Sequence, residues 1–138
     1  MANRWPPWIE ARVSSTGAIN PTVVAPAPVP GCTLTVTPKI NCRVAIVSSW
    51  DVEVAVAAGV FIGELYVNTV AKAQQALLGG AAVGFRATLG QSWTHDLTAG
   101  TAYTFELKGS DTVGNSYVVH STHTGFVIFG LPSDGFSY

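Results

Sequence analysis

The sequence predicts an all-β chain, an antiparallel β-sandwich preceded by an extended Pro-rich N-terminal arm. Three observations carry this. From Cys32 onward, short segments rich in Val, Thr, Ile, Phe and Tyr alternate with Gly, Asn, Asp and Ser breaks, the punctuation of a sandwich or barrel. Within several of these segments apolar and polar residues alternate with a period of two, which places one face on a core. Six of the eight prolines (Pro6, Pro7, Pro21, Pro26, Pro28 and Pro30) fall before Cys32, and proline fixes φ and removes a backbone donor.

The arm comes first. PTVVAPAPVPG, residues 21 to 31, suits polyproline-like or edge-bound chain and not a helix or a central strand. The arm also carries Trp5, Trp8, Ile9, Val13, Val23 and Val24, more apolar bulk than a disordered linker holds. A docking arm over residues 1–31 and a sandwich over residues 32–138 are therefore expected, with Trp5, Trp8, Ile9, Val23 and Val24 as the docking side chains. At 138 residues the chain has room for one core.

The strands expected next are TLTVT (33–37), CRVAIVSS (42–49), DVEVAV (51–56), FIGELYVN (61–68), VAKAQQALL (70–78), AVGFRAT (82–88), QSWTHDL (91–97), AYTFELKG (102–109), SYVVHS (116–121) and TGFVIFG (124–130). In AYTFELKG, Tyr103, Phe105 and Leu107 share one face while Thr104, Glu106 and Lys108 share the other. Val52, Val54 and Val56 likewise face away from Asp51, Glu53 and Ala55. The 70–78 run has a helical composition, but one short helix would stand alone among strands, so strand is preferred narrowly. GVFIG and GFVIFG are apolar on both faces, which points to burial by another copy and nominates Val60, Phe61, Ile62, Phe126, Ile128 and Phe129 as an oligomer interface.

Composition narrows the function classes. Only 11% of the residues are charged and 48% are hydrophobic, with a mean hydropathy of +0.34, unusual for a freely diffusing monomer. Seven basic and eight acidic residues are scattered singly, so a nucleic-acid partner is not expected. No apolar run reaches membrane-spanning length, and MANRWPPWIEAR lacks the order of a secretory signal.

Cys32 shares a face with Leu34 and Val36, and Cys42 with Val44 and Ile46, so both thiols point inward. If these segments pair as a hairpin around Thr37 and Pro38, a disulfide could join them. Two buried reduced thiols are the favoured alternative, because cytosolic assembly keeps thiols reduced. The histidines His95, His120 and His123 show neither metal-ligand spacing nor a relay with a nucleophile. No catalytic motif, cofactor or metal is expected. Trp50, Trp93, Tyr66, Tyr103 and Tyr117 could form a stacking platform for a sugar, although large aromatics in a β domain are more often core.

The run LTAGTAYTFELKGSD, preceded by QSWTHD and followed by TGFVIFGL, resembles the closing half of trimeric jelly-roll domains in bacteriophage tail, fibre and capsid-associated proteins. VSSWDVEVAV followed by GELYVN is similar to their first half, and the likeness covers residues 42–131. The fold is shared with tumour necrosis factor-like domains. The resemblance implies a jelly-roll β-sandwich and a homo-oligomer, a trimer. It implies a virion structural protein assembled in the host cytoplasm and contacting other virion proteins: a minor tail protein, or alternatively a capsid decoration protein or a carbohydrate-binding module that meets host-surface glycan.

Overall fold

The computed structural model describes residues 10–23 and 25–131, and these form β-strands and loops with no helix. Nine strands are present: β1 (Glu10–Ser14), β2 (Ala27–Val36), β3 (Cys42–Val54), β4 (Val60–Val67), β5 (Val70–Ala71), β6 (Ala76–Gly79), β7 (Arg86–Leu97), β8 (Tyr103–Asp111) and β9 (Tyr117–Leu131). They build two antiparallel sheets, one ordered β1-β9-β3-β7 and the other β2-β8-β4-β5, with β6 also paired to β4. Successive long strands switch sheets, and the last strand, β9, inserts between β1 and β3. This is the jelly-roll arrangement.

The period-two residues close the core as expected. Val44, Ile46, Trp50, Val52 and Val54 of β3 face Phe61 and Leu65 of β4 and Phe105 and Leu107 of β8, all essentially inaccessible. Trp50 bridges the sheets: its ring meets Phe61 edge-on at 5.7 Å and lies against Gly63, where an added Cβ would sit 2.7 Å from the indole Cε2. The indole Nε1 donates to Ser48 Oγ at 3.1 Å, and Ser48 Oγ donates to the Gln91 carbonyl at 3.1 Å. Among the described residues no buried side-chain polar atom lacks a partner, as a low-dielectric interior requires.

Several expected breaks are internal to longer strands. The segments 42–49 and 51–56 join in β3, and 116–121 joins 124–130 in β9. Ser49 pairs with Gly125 but Asp51 with His120, so Ser121, Thr122, His123 and Thr124 bulge opposite Trp50 alone. The bulge is held by hydroxyls: Thr124 Oγ1 accepts from the Asp51 N–H at 2.9 Å and donates to the His120 carbonyl at 2.6 Å. Residues 82–85 form a loop, and β7 begins at Arg86. The 70–78 run is strand at both ends, β5 and β6, with a bend between.

The turn at Gly100, with φ +76°, is a crossover between sheets, since β7 and β8 belong to different ones. The same holds for the expected hairpin at Thr37 and Pro38: β2 pairs with β8 and β3 with β7 and β9. Cys32 and Cys42 therefore sit on opposite sheets, and both are free thiols.

The division at Gly31 changes most. Trp5, Trp8, Ile9 and Val24 lie outside the described residues, but residues 10–23 and 25–31 are part of the sandwich. Glu10 to Ser14 pair with Phe129 to Gly125, Ile19 bridges Val119, and Val29 of β2 is 1% exposed in the core. Proline is accommodated because β2 is an edge strand whose ladder with β8 shifts between Pro28 and Thr33.

Candidate functional site

The outward face of the β1-β9-β3-β7 sheet is built from rows set by strand register. Phe129, Ala45 and Thr94 lie in one row, and Arg12, Val127, Val47 and Ser92 in the next. Ser14, Gly125, Ser49 and Gly90 follow, then His120, Asp51 and Thr88, then Val118, Glu53 and Arg86. Within the first two rows Phe129, Ala45, Val127 and Val47 make an apolar lane, flanked by Arg12, Thr94 and Ser92, in which Val47 is 46% exposed. The third, made of the smallest side chains, is a waist, and a groove of about 480 Å³ opens over it between Arg12, Thr88, Thr122 and His123.

Beyond the waist the face is charged but internally paired. The Asp51 carboxylate, 2% exposed, takes Arg86 Nε and Nη2 in a bidentate fork at 2.7 Å each. That hydrogen bonding holds the Asp51 carboxyl below its ordinary range against the opposing effect of burial, with the Arg86, His120 and His123 charges adding to it. Glu53 Oε2 lies 2.7 Å from His120 Nε2. His120 is paired across from Asp51, and the β9 bulge keeps His123 near enough for its charge to act on that carboxylate as well. At the other end Arg43 and Asp96 form an exposed pair at 2.6 Å.

His95 is elsewhere. It faces the sandwich interior at its open side, edge-on to Tyr103 at 5.7 Å and Phe105 at 6.2 Å, with Lys72 Nζ 3.3 Å from Nδ1. Burial, helped by the Lys72 charge, holds its pKa down. Asp96 points to the opposite face, so the two adjacent residues form no relay. Burial pushes the Cys32 thiol up to about 11 and raises Cys42 as well, which leaves both as poor nucleophiles at neutral pH. Among the described residues no group of three or more His, Cys, Asp or Glu is placed to hold a metal ion.

The residues nominated for an oligomer interface are divided by the strand alternation. Phe61, Phe126 and Ile128 are instead core residues, 0 to 2% exposed. Val60, Ile62 and Phe129 are half-buried. Phe129 lies on the lane, while Ile62 faces out of the other sheet. Sequence reasoning missed Ala45, Val47 and Val127, although their alternation with Val44, Ile46 and Ile128 was the available signal. Val23 is 56% exposed. The five aromatic rings do not make a platform either: Trp50, Trp93 and Tyr117 are core, Tyr103 packs on His95, and Tyr66 lies under Lys108 Nζ at 4.5 Å.

No protein-family model matches the chain, and no curated protein matches it. Among solved structures it is similar to Eiger TNF from S. frugiperda, with a TM-score of 0.59 and 14% sequence identity over 96% of this chain and 97% of that one. The chain has a tumour necrosis factor-like jelly-roll topology.

Proposed function

We propose that the chain is a structural subunit of a bacteriophage virion, a rigid jelly-roll block that closes into a homo-oligomer, a trimer, in the tail or its appendages. The observation that carries the assembly half of this reading is the uncovered lane of Ala45, Val47, Val127 and Phe129 beside a waist of small residues. Three strands of some 12 residues and the five residues of β1, at 4.8 Å spacing, give the face about 650 Å², somewhat below the roughly 800 Å² that each partner of a standard-size complex buries. The carboxylates of Asp51 and Glu53 are already paired within the chain, so covering them strands no lone carboxylate. The virion half rests on the resemblance of residues 42–131, and a capsid decoration role is the alternative location.

Sedimentation of the full chain at micromolar concentration tests the first half. A closed oligomer is expected, and Val47→Asp with Phe129→Asp should reduce it to monomer. A wild-type monomer would sink the assembly reading. Mass spectrometry of purified particles tests the second half, and absence of the chain from intact virions would remove it.

A further inference from the structure

The two poles of the sandwich differ sharply. One pole gathers the loops of residues 20–25, 55–59, 80–85 and 112–116, which contain no Asp, Glu, Lys, Arg or His. Backbone hydrogen bonds knit them together: the Val54 N–H donates to the Phe85 carbonyl at 2.8 Å, the Ala55 N–H to the Ser116 carbonyl at 2.8 Å, and the Asn115 N–H to the Pro21 carbonyl at 3.0 Å. Val23, Val56, Val83, Phe85 and Val113 project there at 48 to 64% exposure. These are five of the large apolar side chains that the described residues leave in water, gathered on one surface, and such a patch marks a docking site.

We infer that this pole receives the N-terminal segment of a second copy, through Trp5, Trp8 and Ile9, in a head-to-tail contact. The direction of β1 fixes the geometry. Glu10 pairs with Phe129, and β9 runs from Tyr117 at the apolar pole to Leu131 at the opposite one. Residues before Glu10 therefore leave the sandwich from the far pole. Because β9 is bulged, the distance from Phe129 back to Tyr117 is that between their partners Ala45 and Val54, roughly 30 Å of strand, whereas the five residues between Trp5 and Glu10 reach at most about 18 Å. Trp5 and Trp8 cannot meet the apolar loops of their own copy. A copy stacked end to end brings them together, tryptophan being the side chain most enriched at such anchors. The partner chemistry matches, because an uncharged surface admits an indole without desolvating an ion.

This contact is heterologous, so it propagates along an axis instead of closing. It is independent of the sheet-face oligomer and adds columns or rings of closed units to it.

The test uses complementation between two full-length variants. One carries Val83→Asp and Phe85→Asp, with the N-terminal segment intact. The other carries Trp5→Ala and Trp8→Ala, with the pole intact. Sedimentation velocity of the wild type should show mass growing with concentration beyond the closed oligomer, and each variant alone should stop at that unit. Mixed, they should form a species of twice its mass, since one supplies the segment and the other the pole. Should Phe85→Asp disturb the fold by circular dichroism, Val83→Asp alone carries the same test, Val83 being 64% exposed. If the sheet-face reading fails, the pairing appears on monomers, so the two failures are distinguishable. A mixture that does not pair, or a pole variant with the wild-type mass distribution, overturns the inference. So does co-sedimentation of the wild type with phosphatidylcholine vesicles, lost on Phe85→Asp, without growth in mass.

Discussion

Replacing Gly63 with alanine should destabilise the protein, against the usual sign of the change. Glycine within a strand loses more chain entropy on folding than alanine, so Gly→Ala at an unstrained backbone stabilises by about 0.5–1 kcal/mol. Gly63 has no positive φ to forbid the change. The added Cβ, however, would sit 2.7, 2.9 and 3.0 Å from Cε2, Cδ2 and Cζ2 of Trp50. That indole is wholly buried and fixed by its hydrogen bond to Ser48, so it cannot swing away. Overpacking of this kind costs about 1–3 kcal/mol, leaving a net loss of roughly 1–2 kcal/mol, or some 3–10 °C in Tm for a domain of this size. Gly17→Ala is the matched control, since its Cβ meets only Pro30 at 3.6 Å; it should leave Tm unchanged or raise it. Thermal melts followed by near-ultraviolet circular dichroism read both, and Trp50→Phe combined with Gly63→Ala should lose less than the sum of the single changes. A Gly63→Ala protein as stable as the wild type would refute the packing of β3 against β4.

Two further outcomes follow from the same coordinates. Because hydrogen bonding to Arg86 lowers the folded-state pKa of Asp51, its stabilising effect is complete above the ordinary aspartate range, near pH 4, and is lost as pH falls through the lower folded value. Asp51→Asn should therefore lower Tm at pH 7 and flatten the acid-side decline, and an unchanged acid profile would count against the Asp51–Arg86 fork. A chain starting at Gly31 should fail to melt cooperatively or melt far below the wild type. It lacks β1 and Val29, whose buried side chain alone contributes about 1.5–3 kcal/mol, and it exposes the edge of β9; a wild-type melt of that chain would return residues 10–30 to the role of a separate arm.

The elements that were legible in the sequence are those where local pattern and burial agree. AYTFELKG alternates cleanly, and β8 buries Phe105 and Leu107 while Glu106 and Lys108 face out. The bulged strands were not legible. SSWD and HSTHT carry the Ser, Asp, His and Thr that ordinarily end strands, yet here the Ser49 and Thr124 hydroxyls satisfy the groups a bulge exposes. Pairing between distant segments leaves no local trace either, so the prolines read correctly as excluding a central strand but could not reveal that β2 takes the permitted edge. The candidate site failed for a related reason. GFVIFG is apolar on both faces, and which half meets the core depends on its register with β3, which only the folded sheet supplies.

Charge is sparse in this chain, and where it lies separates the surfaces. The outward face of the β2-β8-β4 sheet carries polar pairs beside the exposed Val70 and Leu77 of β5 and β6: Lys108 pairs with Glu106 at 3.0 Å, Gln75 Nε2 donates to Glu64 at 2.8 Å, and Thr35 and Thr104 share a hydrogen bond at 2.8 Å. The opposite sheet keeps its lane from Ala45 to Phe129 apolar and neutralises Asp51 and Glu53 with its own Arg86 and His120. The distinction lies in position and not in number, since this sheet holds three ion pairs, Arg43–Asp96 among them, against one on the other, and exposed pairs add little stability. In the proposed oligomer, closure through the lane would place the β2-β8-β4 sheet outward, and the pole of uncharged loops would lie along the axis of the closed unit. One asymmetric block can in this way grow both around an axis and along it, using surfaces that do not compete.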